Sequence, residues 1–105
     1  MQREDYAWAA GLFEGEGSFC LASARRTQPN ATLSMCDEGT VKRFHEVIGC
    51  GQFYGPWQNK GKGQNGAPYW RWSATSYENV QAALAMMWPW LSPRRRARGA
   101  EVLSG

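Results

Sequence analysis

Residues 9–17 read AAGLFEGEG, and the chain continues directly into Ser18-Phe19. Apolar residues recur through this region at the three- and four-residue spacing of a helix: Tyr6, Ala9, Ala10 and Phe13. The spacing predicts a helix from Asp5 to about Gly15. Its end is unusual, because a helical glycine costs about 1 kcal/mol relative to alanine and the helix dipole disfavours acids at the C-terminus. The three glycines and two glutamates therefore need a purpose beyond the helix itself.

Composition limits the class of protein. With 105 residues, 43% of them hydrophobic, the sequence predicts one globular domain over residues 1–105. The N-terminus lacks a basic segment followed by an apolar run, and no window reaches the roughly 18 apolar residues that span a bilayer. We expect a soluble protein of the cytoplasm, or of an organelle, without a membrane partner.

The three cysteines, Cys20, Cys36 and Cys50, are odd in number and lack close spacing, which favours reduced thiols over a disulfide framework. A zinc site would require these scattered residues to converge with the single histidine, His45. His45 is instead expected to pack against its neighbours or to lie on the surface of a helix.

Positive charge is concentrated in three segments, although the net charge is only +3. Four arginines lie near the C-terminus, two lie in the first third of the chain, and two lysines lie in a glycine-rich loop: Arg94, Arg95, Arg96, Arg98, Arg25, Arg26, Lys60 and Lys62. Solvated surfaces and contacts to a polyanion both fit this pattern.

The remaining elements are predicted from periodicity and turn signals. Alternation predicts strands over residues 18–24, 32–36, 52–57 and 69–75, with a turn at Gln28-Pro29-Asn30 and a loop over 58–68. Helix signals predict a second helix from Asp37 to Gly49, a third over Tyr77–Met87 and a fourth that begins at Ser92-Pro93. The order indicates an α+β fold, in which one antiparallel sheet carries helices on one face.

The other face of this sheet is polar, small or aromatic, with few acids. Strand alternation assigns to it Ser18, Cys20, Ala22, Thr32, Ser34, Gln52, Tyr54, Gln58, Arg71 and Ser73. A solvated face and a surface that lies against nucleic acid both fit this composition.

The stretch from Ala9 to Gly17, followed by Ser18-Phe19, resembles the signature of the LAGLIDADG homing endonucleases, in the variant form that ends in GEGSF. The order of helices and strands is similar to that of the family core, and GCGQFYGPW at 49–57 and YWRWS at 69–73 look like its second strand pair. The resemblance implies an αββαββα core with a saddle-shaped, four-stranded antiparallel sheet.

The same resemblance gives the glycines a role. Single-motif members of the family are homodimers that pack through the motif helix, which implies an interface at Ala7, Ala10, Gly11, Glu14 and Gly15. A spacing of four places Ala7, Gly11 and Gly15 on one stripe without side-chain bulk, which permits close approach of two helices. The alternative is that Gly11 packs against the chain's own sheet.

The resemblance also gives the acids a role. It implies that Glu16, at the motif's eighth position, binds the catalytic divalent ion together with the carbonyl of Gly15, while Glu14 lies at the helix end or the dimer seam. Mg²⁺ is the expected ion, with Mn²⁺ or Ca²⁺ as substitutes for binding. A cation would relieve the repulsion between two Glu16 carboxylates that meet at the two-fold axis.

Two further catalytic residues are implied by comparison with the family. Arg94 is the nearest match to a cation close to the scissile phosphate, with Arg95 and Arg96 as competitors. Asp37 follows the second strand, where relatives carry a polar residue, and either a metal contact or no role is open for it.

The implied function is a homing endonuclease that hydrolyses both strands of a long, pseudo-palindromic double-stranded DNA target, in intron or intein mobility. Side chains on the outer face would contact DNA in the major groove, and basic residues would contact phosphates or flanking bases. The candidates are Ser18, Cys20, Ser34, Gln52, Tyr54, Gln58, Arg71 and Ser73 on the sheet, and Arg25, Arg26, Lys60 and Lys62 outside it. The alternatives are a non-cleaving protein of the same fold, acting as transcription regulator or intron maturase, and a dimer whose motif helix only assembles it.

Overall fold

The computed structural model describes residues 1–22, 27–58 and 67–104. Within these ranges the helices are α1 (Arg3–Glu16), α2 (Glu38–Ile48), α3 (Tyr77–Met87) and α4 (Pro93–Ser104), with a 3₁₀ turn at Trp88–Trp90. The strands are β1 (Gly17–Ala22), β2 (Gln28–Met35), β3 (Gln52–Gln58) and β4 (Pro68–Ala74). The predicted α+β class and order of elements are confirmed. No helix in the described part of the chain has the length and apolar character to span a membrane.

The strands form one antiparallel sheet in the order β1-β2-β4-β3. Gly17 lies opposite Leu33, and Leu33 lies opposite Trp72. The start of β1 and the end of β2 therefore share one end of the sheet, and α1 delivers its C-terminus there.

Strand β2 begins earlier than the sequence predicts. The predicted turn at Gln28-Pro29-Asn30 is wrong, because these residues pair with Ala22, Leu21 and Cys20 of β1. The pairing of β2 with β4 reaches only as far as Ala31, so Pro29 has a strand neighbour on one side alone. A proline is tolerated there, because its missing N–H removes no bond from a second ladder. The predicted continuation of β1 to residue 24 and most of the predicted loop lie outside the described residues.

Helices cover one face of the sheet and bury a hydrophobic core that includes several large aromatic rings. Phe13 of α1, Phe44 of α2 and Trp72 of β4 are fully buried. The ring centroids of Phe44 and Trp72 lie 4.9 Å apart with the rings nearly perpendicular, a favourable edge-to-face contact. The indole Nε1 of Trp72 donates to the Cys50 carbonyl at 2.8 Å, which satisfies the polar atom of this core residue. The predicted inner face of β4 is confirmed at this position.

Packing inside the chain explains why one of the three motif glycines, Gly17, is a glycine. A Cβ atom at this position would overlap the ring of Phe13, one helical turn earlier. The chain therefore passes from α1 into β1 directly over a buried aromatic ring, and only glycine leaves room for it.

Candidate metal site and nucleic-acid interface

The outward side of α1 is an open stripe of small residues. Gly11 and Gly15 are exposed, and a Cβ atom at either would meet nothing within 4 Å. The alternative that Gly11 packs against the chain's own sheet is therefore wrong. Ala10, which is predicted to lie in the dimer interface, is 0% exposed. Consecutive helical residues differ by about 100° around the axis, so Ala10 points into the chain's own core.

Glu14 joins the end of α1 to the start of α4. Its two carboxylate oxygens accept hydrogen bonds from the Ser92 backbone N–H at 2.9 Å and from the Ser92 hydroxyl at 2.8 Å. The guanidinium of Arg95 donates to the Glu14 backbone carbonyl at 3.0 Å. Glu14 therefore lies at the helix end, one of its two predicted places, and its position at the dimer seam stays a prediction.

The electrostatics of Glu14 match these contacts. The hydrogen bond from the Ser92 backbone lowers the pKa of the Glu14 carboxyl, and the Ser92 hydroxyl, Arg95 and Arg94 lower it further against an opposing effect of burial. Glu14 is thereby kept ionised as a structural link, and it fixes the turn that carries Gly15 and Glu16.

Glu16 is the last residue of α1 and is exposed. The helix ends there, so no following helical turn occupies the Gly15 carbonyl. A carboxylate and a backbone carbonyl without a partner in its own helix are hard oxygen donors, the kind of ligand that Mg²⁺ prefers. Among the described residues, however, no three His, Cys, Asp or Glu side chains are grouped so as to hold a metal ion. Glu16 and the Gly15 carbonyl are the oxygen donors of this chain that could contact such an ion.

The C-terminal arginines are distinguished by their contacts. Arg95 is bound to Glu14, Arg96 donates to the carbonyls of Trp88 and Pro89, and Arg98 donates to the Phe19 carbonyl. Arg94 is exposed and forms no hydrogen bond or ion pair with the residues that the structure describes. Among the three candidates from the sequence, Arg94 is the cation available to a ligand near Glu14.

Asp37 lies at the same end of the sheet and has a structural role. It precedes α2, and its carboxylate accepts from the Thr40 N–H at 3.4 Å as the N-cap. His45 of α2 has Nε2 3.2 Å from the Gly51 carbonyl, in keeping with its predicted packing role.

The outer face of the sheet is free of acidic side chains. All nine acids of the chain lie in α1 to α4 or at the Asp37 cap, and the four described strands contain none. Ser18, Gln52 and Tyr54 are exposed, while Cys20, Ser34 and Arg71 are half-buried. Ser73 is only 8% exposed between its partners Thr32 and Gln52. Ser73 therefore offers little surface to a ligand, and its predicted contact with DNA stays a prediction.

A bulge in β3 changes the predicted outer face. Tyr54 pairs with Arg71 and Trp57 pairs with Tyr69, so three steps along β3 match two along β4. Gly55-Pro56 supplies the extra residue, and Gly55 has φ 129°, a conformation that suits glycine. Trp57 consequently joins the outer face, and Gln58 is turned to the opposite face. The predicted place of Gln58 on the outer face is therefore wrong, while its contact with DNA stays a prediction.

Arg71 is held in a defined position on this face. Its Nε donates to the Ser34 hydroxyl at 2.9 Å, and its guanidinium carbon lies 5.4 Å from the centre of the Trp57 ring. The terminal nitrogens of the guanidinium remain for a ligand. Ser34 and Arg71 are both predicted to contact DNA. The hydrogen bond joins them into one unit, in which the serine orients the arginine.

The sequence prediction misses Gln28, Asn30 and Trp57 on the outer face. The predicted turn includes Gln28 and Asn30, and the predicted strand that contains Trp57 lacks the bulge. The Gly-Pro pair inside a strand was the signal for Trp57, since both residues are disfavoured in regular strands. Arg25, Arg26, Lys60 and Lys62 lie outside the described residues.

Comparison with known proteins identifies the fold. No family model matches the sequence, and no curated protein is significantly similar to it. Among solved structures, the homing endonuclease I-CvuI in complex with its target, in the presence of calcium, matches with a TM-score of 0.72 and 18% identity, over 97% of this chain and 65% of that one. The chain has the LAGLIDADG homing endonuclease fold.

Two other structures with the LAGLIDADG fold show the same similarity. The archaeal intron-encoded homing endonuclease I-Vdi141I, complexed with DNA, matches with a TM-score of 0.67 and 13% identity, over 96% of this chain and 67% of that one. The LAGLIDADG homing endonuclease I-GzeII, in complex with its DNA target, matches with a TM-score of 0.66 and 18% identity, over 92% and 33%. The chain thus spans about two thirds of the first two proteins and one third of the third.

Proposed function

We propose that two copies of this chain form a site-specific DNA endonuclease that hydrolyses phosphodiester bonds in both strands of a long, pseudo-palindromic target with a divalent metal ion. The observation that carries the proposal is the outward side of α1. Its stripe of Ala7, Gly11 and Gly15 ends at the exposed Glu16, next to a sheet face without acids. A protein that only binds DNA has no use for an exposed acid beside a phosphate surface.

A second copy of the chain would complete the metal site. Two α1 helices packed along their open stripes bring two Glu16 carboxylates and two Gly15 carbonyls together. Two carboxylates brought close together repel each other, and a divalent cation bound between them offsets that repulsion. The exposed position of Glu16 at the end of the open stripe supports this arrangement.

The chain's own residues have distinct parts in the proposed hydrolysis. Glu16 and Gly15 would hold the ion, which when bound activates water and stabilises charge on the phosphate. Arg94 would place a positive charge against the scissile phosphate, where charge develops in the transition state. Glu14, Ser92 and Arg95 keep the end of α1 fixed. Asp37 caps α2, and no step of the proposed hydrolysis requires it.

Target recognition belongs to the outer face of the two sheets. Arg71, Gln52 and Tyr54 would contact base edges in the major groove, and a symmetric dimer requires two related half-sites. The structural neighbours that are DNA complexes support double-stranded DNA as the partner. Intron or intein mobility is the biological setting that we propose for such an enzyme.

The test is cleavage of a randomised duplex library with and without Mg²⁺. We expect magnesium-dependent double-strand cuts at one family of sites, and their loss by at least 100-fold in Glu16→Gln, since a neutral amide cannot balance the ion's charge. Glu46→Gln, which neutralises an exposed acid of α2, should cut normally. Retained cutting in Glu16→Gln would remove this residue from the metal site.

The same experiment separates the alternatives. Site-selective binding without cuts in any divalent metal would indicate the transcription regulator or maturase. The absence of any salt-dependent DNA affinity would leave only the assembly role for α1. The availability of both Glu16 and Arg94 favours the nuclease.

A further inference from the structure

The bulge in β3 gathers three aromatic side chains beside Arg71. We define the aromatic cluster as Tyr54, Trp57 and Tyr69. Tyr54 and Trp57 stack with ring centroids 5.6 Å apart, and Tyr69 meets Trp57 edge-on at 5.7 Å. Tyr54 and Trp57 are 38% and 39% exposed, which is high for such large rings. This exposed apolar surface lies on the outer face, next to the arginine best placed to read a base.

The geometry argues against base stacking as the purpose of the cluster. A platform for an unpaired base needs an uncovered ring face. Trp57 already has Tyr54 stacked on it, Tyr69 against it and the Arg71 guanidinium carbon 5.4 Å from its centroid. The Trp57 ring is therefore already engaged by three neighbours. The exposed apolar surface that it shares with Tyr54 suits a small apolar group that projects into the major groove, and the C5-methyl of thymine is such a group.

Arg71 supplies the neighbouring polar contact. With Nε bound to Ser34, its two terminal nitrogens are left for the O6 and N7 acceptors of guanine. The guanidinium carbon lies 5.4 Å from the centre of the Trp57 ring, a separation of the same order as one base-pair step of about 3.4 Å. The guanine and methyl contacts would therefore fall on neighbouring base pairs.

We infer that Arg71 and the aromatic cluster together recognise a guanine and the C5-methyl of a thymine on an adjacent base pair, as a two-base-pair specificity element in each half-site. The inference rests on the proposed function, because it requires the outer face to lie in the major groove. It assigns to Trp57 a role in specificity.

The test replaces thymine by deoxyuridine, which removes only the methyl group. Duplexes selected by the native protein from a randomised library in Ca²⁺ are resynthesised with single replacements, and Kd is measured at fixed salt. We expect one thymine beside a guanine in each half-site whose replacement weakens binding about fourfold, the value of one buried methyl group. In Trp57→Ala that sensitivity to uracil should disappear.

Trp88→Ala is the matched control. Trp88 is 40% exposed and has the Arg96 guanidinium carbon 5.3 Å from its ring centre, but it lies in the 3₁₀ turn on the helical side. This variant should keep the uracil sensitivity of the native protein.

Each failure has a separate meaning. If the native protein selects sites but no uracil replacement changes Kd, the inference is overturned while DNA binding stands. Retained sensitivity in Trp57→Ala overturns it as well. If no duplex is selected under any condition, the proposed function fails and takes the inference with it.

Discussion

At the scale of single residues, the motif glycines serve different needs. Gly17 leaves room for the Phe13 ring within the chain, whereas Gly11 and Gly15 leave an open outer side. The sequence alone could not distinguish these two roles. A glycine that makes room for a core side chain and a glycine that leaves a surface open to a partner are the same letter in a single sequence.

Gly17→Ala should therefore destabilise the fold by about 1–3 kcal/mol, the usual cost of overpacking a core. The ring that it would overlap is 0% exposed, so neighbouring core atoms would have to shift with it. Thermal or urea unfolding, followed by circular dichroism, measures the effect.

The control for this substitution is Gly39→Ala in α2. Its Cβ would meet only the Asp37 Oδ1, at an ordinary 3.7 Å, so helix propensity should leave it neutral or slightly stabilising. Equal unfolding midpoints for the two variants would show that Phe13 does not constrain the junction.

At the scale of elements, the contact of Glu14 with Ser92 couples α1 to α4 across 78 residues of sequence. The folded state lowers the Glu14 pKa, so the carboxylate stabilises the fold above its unfolded pKa, and this contribution is lost as pH falls through the folded value. Glu14→Gln should then be destabilised at pH 7, by about 1–2 kcal/mol for the weakened hydrogen bonds to Ser92.

The pH dependence makes this prediction specific. The difference in unfolding free energy between native protein and Glu14→Gln should shrink as pH falls below about 4, near the ordinary glutamate pKa. Glu46→Gln, on the exposed side of α2, provides the baseline. A gap between native protein and Glu14→Gln that stays constant from pH 7 to pH 3 would mean that the charge of Glu14 is not involved.

Local periodicity predicted the elements, but the structure departs from it where non-local pairing decides. The helices and strands occur in the predicted order because each element has its own apolar spacing, and the helices also have local capping signals. The extra residue at Gly55-Pro56 depends on the partner strand β4, and it reversed the predicted faces of Trp57 and Gln58. Pro29 fits inside β2 only because β4 pairs no further than Ala31. Strand register was thus the part that one sequence could not supply.

At the scale of the whole molecule, the proposed metal donors and the small-residue stripe lie on the same helix. The motif supplied Glu16 as a metal candidate and left open which arginine accompanies it. In the folded chain, Arg95 donates to the Glu14 carbonyl, and Arg96 donates to the carbonyls of Trp88 and Pro89. These contacts favour Arg94 as the arginine that would accompany Glu16. Assembly and catalysis are therefore linked in the proposed enzyme, since displacing α1 would separate the two Glu16 residues.

Gly11→Leu tests this link. In one chain a side chain at residue 11 meets open space, so the variant should fold, but a leucine would hold two α1 helices apart. We expect the dimer to dissociate by sedimentation velocity and magnesium-dependent cleavage to fall at least 100-fold, with circular dichroism unchanged. Ala97→Leu, at an exposed position of α4, should leave both assembly and cleavage intact. A Gly11→Leu protein that sediments as the native protein does would place the interface elsewhere, and the two Glu16 residues could then not share an ion across α1.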